Sequence, residues 1–169
     1  MRSLLYTLAF LLACPALVAP AWSADAPPRI DDSAALADLE EAKAVFLIDF
    51  TNPKKTAFYL EIIRGTHQGL RDQGVEPDMI LVYIGETVRY LTTEPDELLD
   101  MEFGAELKSI AESVEKLDAL GVRQEVCAVA CDVFGVDPAK LLPGLTPVGD
   151  GFISLIGWQS QGYHLVPIF

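Results

Sequence analysis

The chain has 169 residues, 51% of them hydrophobic and 9% aromatic, with a formal net charge of −13. The apolar fraction excludes a disordered chain, and the length suits one domain with a substantial core. A surface this acidic repels phosphate backbones and anionic lipid. That argues against nucleic acid and leaves either a basic partner or a plainly solvated face.

Residues 1–24 read as an export signal. Arg2 supplies the positive start and Leu4 to Ala13 the apolar stretch; Pro15 and Pro20 interrupt any longer helix. Small residues then offer cleavage after Ala21 or Ala24. About ten apolar residues are too few to span a bilayer, so no membrane span is expected in the mature chain. Leu11-Leu12-Ala13-Cys14 also resembles a lipoprotein box, against which stand Pro15 and the apolar residues after it. The expected location is the bacterial periplasm, where disulfides are permitted.

Residues 25–43 make an N-terminal tail, polar and Pro-bearing from Asp25 to Asp32. The stretch Ser33 to Lys43 predicts a short helix capped by Ser33. The domain proper spans 44–169. Ala44 to Phe50 is an apolar run broken only by Asp49, which suits a strand covered on both faces. Asn52-Pro53 opens a helix in which Phe58, Ile62, Ile63, Thr66 and Leu70 are expected to share the buried face. Gly65 and Gly69 in its middle suggest a close approach to the sheet or another subunit. Met79 to Ile84 is a second strand, and Val88 to Leu91 a helical turn. Thr93 to Asp96 has the spacing of a capping box. It opens a long helix with Phe103, Leu107, Ile110, Val114 and Leu117 on one face.

Val122 to Val126 is a third strand, delivering Cys127 to a short helix that carries Cys131. Leu145 to Val148 is a brief strand that Pro147 places near an edge. Asp150 to Gln161 is a mostly apolar helix, and Tyr163 to Ile168 the closing strand. Such alternation gives an α/β fold with a parallel sheet and helices on both faces.

Cys127 and Cys131 are the candidate catalytic residues. A thiol where a strand feeds a helix start sees the positive end of that helix, which favours the thiolate that attacks disulfides or carries sulfane sulfur. The plain alternative is a small hydrophobe packed among Val126, Val129 and Val133. A disulfide between Cys127 and Cys131 would close a loop of only three residues and be readily reduced. Two thiolates are half a tetrahedral set, so no metal is expected, and Gly149-Asp150-Gly151 lacks the spacing of a dinucleotide loop, so no cofactor is expected. His67 and His164 are surface or packing histidines unless one folds back onto Cys127. Asp49 and Glu86, each after a strand, either line a pocket or serve local structure. Phe152 and Trp158 suit packing.

The order FLID-F-TNP, VYIGETVRYL, LGVRQEVCAVA and FGVDPAKLLPGLTPVGDGFISLIGWQSQGYHLV resembles the DsrE/DsrF-like family over about residues 44 to 169. The resemblance implies a three-layer α/β/α sandwich around a five-stranded parallel sheet, assembled into trimers or hexamers. It also implies a cysteine that accepts a persulfide at the position of Cys127 and passes the sulfur to a partner protein. Three features depart from the relay pattern: the export signal, the absence of basic residues after Cys127, and the additional Cys131. Two functions follow as expectations. One is a periplasmic persulfide acceptor and carrier working through Cys127, with Cys131 resolving it. The other is a non-catalytic oligomeric binding or accessory module. The first requires a thiol that is reachable and faced by helix amides.

Overall fold

The structure is a computed structural model that describes residues 30–168. The export signal and Cys14 lie outside the described residues. Among the described residues, five strands alternate with four helices. They are β1 (Glu41–Ile48), α1 (Pro53–Asp72), β2 (Glu76–Tyr83), α2 (Glu97–Ala119), β3 (Arg123–Cys127), α3 (Ala128–Phe134), β4 (Thr146–Val148), α4 (Gly151–Ser160) and β5 (His164–Pro167). Two 3-10 turns, at Gly85–Tyr90 and Pro138–Lys140, complete the list.

All strand pairs are parallel, in the order β4-β3-β2-β1-β5. This order fixes the layers. From β1 to β3 the chain steps in one direction, so right-handed crossovers put α1 and α2 side by side on one face. From β4 to β5 it returns across the whole sheet, which puts α4 on the opposite face, against β1, β2 and β3. The central strands β1 and β2 are covered on both faces by apolar packing: Val45, Ile48, Leu81, Val82 and Tyr83 are fully buried. The buried Tyr83 hydroxyl donates to Gln124 Oε1 (2.8 Å), and Gln124 Nε2 donates to the Val114 carbonyl (2.9 Å), so these two side chains are paired within the core.

Several sequence expectations are corrected. Residues 33–38 form turns and no helix: Ala35 and Leu36 donate to the Asp32 carbonyl, and Asp38 has φ 64°. The strand claims Glu41 to Lys43 because β2 reaches back to pair with them. On α1 the buried face is Thr56, Leu60, Ile63 and His67, whereas Phe58 and Ile62 are exposed. The apolar residues of α1 occupy two adjacent stripes, and the sheet takes only one. Gly65 and Gly69 do not approach the sheet: a Cβ at either would meet no atom of this chain within 4 Å. At α2 the cap is Asp96, which accepts from Leu98 N and Leu99 N, while Thr93 turns away to the Lys140 carbonyl. Leu107, Ile110, Val114 and Leu117 form the buried face as expected, and the helix kinks at Phe103.

Candidate functional site

Cys127 ends β3 and stands at the N-cap of α3, with φ −68° and ψ 114°. The expected position is therefore correct. No amide of the seven-residue α3 donates to its side chain. Cys127 is 5% exposed, and Cys131 is fully buried. Both are free thiols. Burial pushes the Cys131 thiol up, and the neighbouring Cys127 and Asp132 add to the rise. Both thiols belong to the β3–α3 junction at the carboxyl edge of the sheet.

The cover over Cys127 is the first residue of α4. A Cβ added at Gly151 would lie 3.1 Å from Cys127 Cβ, 3.5 Å from Cys127 Sγ and 2.6 Å from Ile84 Cγ2. Only a residue without a side chain lets the α4 backbone come this close. Asp150 caps the helix through Phe152 N (2.8 Å).

The histidines do not join this cluster. His164 starts β5, opposite Ala44 and three strand steps from β3. At roughly 4.8 Å per step that is about 14 Å, and it lies at the amino end of its strand while Cys127 lies at the carboxyl end of its own. His67 is buried near the far end of α1, with Nδ1 unpaired. Burial, then the Arg71 charge, lower its pKa, and Glu76 opposes them. Glu86 pairs with Arg89 at 2.8 Å. Asp49 does not cap α1, since Asn52 does that through Lys54 N (2.8 Å). Asp49 lies against Gly85 instead: a Cβ there would come within 2.2 Å of Asp49 Oδ1.

One functional-looking group escaped the sequence reading. Glu125, two residues before Cys127, is buried and accepts from Arg123 Nε (2.6 Å), Trp158 Nε1 (3.0 Å) and Ser154 Oγ. Burial alone would raise its pKa; the bonds from Ser154, Arg123 and Trp158 reverse that and hold it low. Arg123 also lies over the Trp158 ring, 5.4 Å from its centroid. The available signal was the i, i+4 pair Ser154 and Trp158 on an otherwise apolar helix. Glu125 lies at the base of a groove of about 410 Å³ lined by Ile153, Ser154, Gly157, Trp158 and Gln161. Among the described residues, no three His, Cys, Asp or Glu side chains converge as a metal set. No described helix is long and apolar enough to cross a membrane.

The outer side of α4 is as apolar as its inner side. Phe152, Ile153 and Ile156 are 60%, 69% and 65% exposed, and only Gly151 and Leu155 are buried. A helix that is apolar all round is normally covered on every side. Trp158 stands on the sheet with Glu125 while Phe152 points outward, so the two are not a pair.

The DsrE/DsrF-like family profile matches residues 42–168, which takes in every strand but the first residue of β1. The chain belongs to the DsrE/DsrF-like family. Its fold is of the sulfur-relay type found in that family. The Methanobacterium thermoautotrophicum protein MTH1491, of unknown function, is 19% identical with a TM-score of 0.60, covering 75% of this chain and 99% of its own. The Escherichia coli protein ychN is 16% identical with a TM-score of 0.55, again covering 75% and 99%. At these identities the likeness is one of fold. No curated protein matches.

Proposed function

We propose that this DsrE-type chain is an exported, self-associating binding module whose assembly surface is the outer side of α4. The observation that supports it is the exposed apolar trio Phe152, Ile153 and Ile156, on a helix whose exposed polar residues, Gln159 and Ser160, stand in its last turn. The burial of Cys127 and the lack of any amide at its sulfur weigh against a working thiol in the protomer. The mass of the secreted protein, measured by light scattering at micromolar concentration, tests the reading. A multiple of the protomer mass is expected, and a monomer overturns it. Export rests on residues 1–24 and is checked by the N-terminal sequence of the protein recovered from the periplasm.

A second reading, a periplasmic persulfide carrier, draws on the family and on the two free thiols at the carboxyl edge of the sheet. The Cys127 thiolate would attack the terminal sulfur of a polysulfide. The donor S–S bond breaks, the shortened polysulfide leaves with the electron pair, and Cys127 holds S–SH. Cys131 would then attack the Cys127 sulfur, releasing hydrosulfide and leaving a disulfide. Intact mass after exposure to polysulfide decides it. Gain of one sulfur in Cys131→Ser, or loss of two hydrogens in the wild type, that Cys127→Ser abolishes supports the carrier, and an unchanged mass removes it.

A further inference from the structure

We propose that α4 is a lid over Cys127 and that Glu125 is the latch that holds it shut. Glu125 and Cys127 are two residues apart on β3, so both side chains face the layer that α4 occupies. The sheet-facing residues of α4 meet them in register. Gly151 covers the Cys127 sulfur, Leu155 is buried, and Ser154 and Trp158 both donate to the Glu125 carboxylate. The apolar hold of α4 is confined to Leu155 and to Trp158, which meets the Tyr163 ring at 5.2 Å, and the Glu125 clamp adds a polar hold beside it. A ten-residue helix is marginal by itself, and the side chains of Phe152, Ile153 and Ile156 point away from the sheet.

The geometry lets the lid open as one body. Asp150 caps α4 from within the same segment, so the helix keeps its cap when it lifts. Gly149 before it and Gly162 after it both have open space around them, and Gly162 already sits at φ 95°. These are suitable places for the backbone to absorb a rotation. Cys131 belongs to a different contact. It is fully buried on α3, which packs against the Gly85–Tyr90 turn. Lifting α4 therefore bares Cys127 and leaves Cys131 covered. A partner seated on the outer side of α4 would hold the lid down, so the latch acts in the unassembled protomer and alkylation is read at a concentration where light scattering gives the monomer mass.

The test is alkylation of the reduced mature protein by iodoacetamide, with peptide mass mapping to score Cys127 and Cys131 separately. Glu125→Gln, which removes the charge the three donors converge on, and Gly151→Ala, whose methyl meets Ile84 Cγ2, are each expected to speed Cys127 alkylation at least tenfold. Trp158→Phe, which removes one donor, should speed it several-fold. Cys131 should be unchanged in all three. Cys127 rates that stay at the wild-type value, or that rise only in step with Cys131, overturn the lid. The wild type supplies a second measurement that needs no variant. Below the unfolding transition, Cys127 alkylation should rise with urea on a shallower slope than Cys131, because lifting one helix exposes less surface than global unfolding. Equal slopes overturn the proposal. Light scattering on the same samples reads assembly separately, so loss of the lid is distinguished from loss of the oligomer.

Discussion

Placing one charge on the outer side of α4 is the sharpest perturbation of the assembly surface. Ile153 is 69% exposed in the protomer. Fully burying an Ile side chain is worth about 1.5–3 kcal/mol, so covering the exposed part stabilises a contact by about 1–2 kcal/mol. Ile153→Asp forfeits that and adds the cost of drying a carboxylate, several kcal/mol when no cation answers it. The chain's own surplus of acids makes an answering cation scarce, with 25 Asp and Glu against 12 Lys and Arg. A loss of at least about 4 kcal/mol weakens association about a thousandfold. Sedimentation velocity across a concentration series should show the variant as a monomer where the wild type is assembled. Ile62→Asp, placed on the exposed stripe of α1, is the control and should leave assembly as it was. An Ile153→Asp protein that still associates within tenfold of the wild type refutes the assignment of the surface to α4.

Glu125→Ala leaves Ser154 and Trp158 without their acceptor beneath a helix, while Arg123 rehydrates; a loss of about 2–5 kcal/mol is expected in urea unfolding at pH 7. Because the folded state holds the Glu125 pKa below 4.5, its contribution is present above pH 4.5 and disappears as pH falls through the folded value; the variant should lose less stability on acidification than the wild type. His67 behaves oppositely. Its folded pKa lies below 6.5, so the unfolded chain binds the extra proton, and stability should fall as pH drops from 6.5 toward the folded value. The urea midpoints of His67→Leu at pH 7.5 and 5.5 should differ less than those of the wild type. Gly65→Ala and Gly69→Ala enter open space on a helix and should each raise stability by about 0.5–1 kcal/mol; thermal melting that shows a loss would mean that something packs there.

The division between what the residues foretold and what folding decided follows the range of the forces involved. Alternating apolar runs and helical stretches announced a parallel α/β sheet, because covering both faces of a strand leaves its mark on every residue of that strand. Asn52-Pro53 announced the start of α1 and Pro147 the edge position of β4, since each acts through its own backbone. The arrival of Cys127 at a helix start was equally local. Its burial was not. The cover is Gly151, twenty-four residues further on and delivered from the opposite layer only because the chain reverses direction across the sheet after β4. Glu125 drew no attention in the sequence, and its part was decided when Ser154 and Trp158 came down on it from that same helix. The sequence reading put Phe58 and Ile62 on one buried face with Ile63, whereas the apolar residues of α1 divide between two neighbouring stripes. Which one faces inward was decided by the position of the sheet beneath α1, a choice that no periodicity within one helix contains.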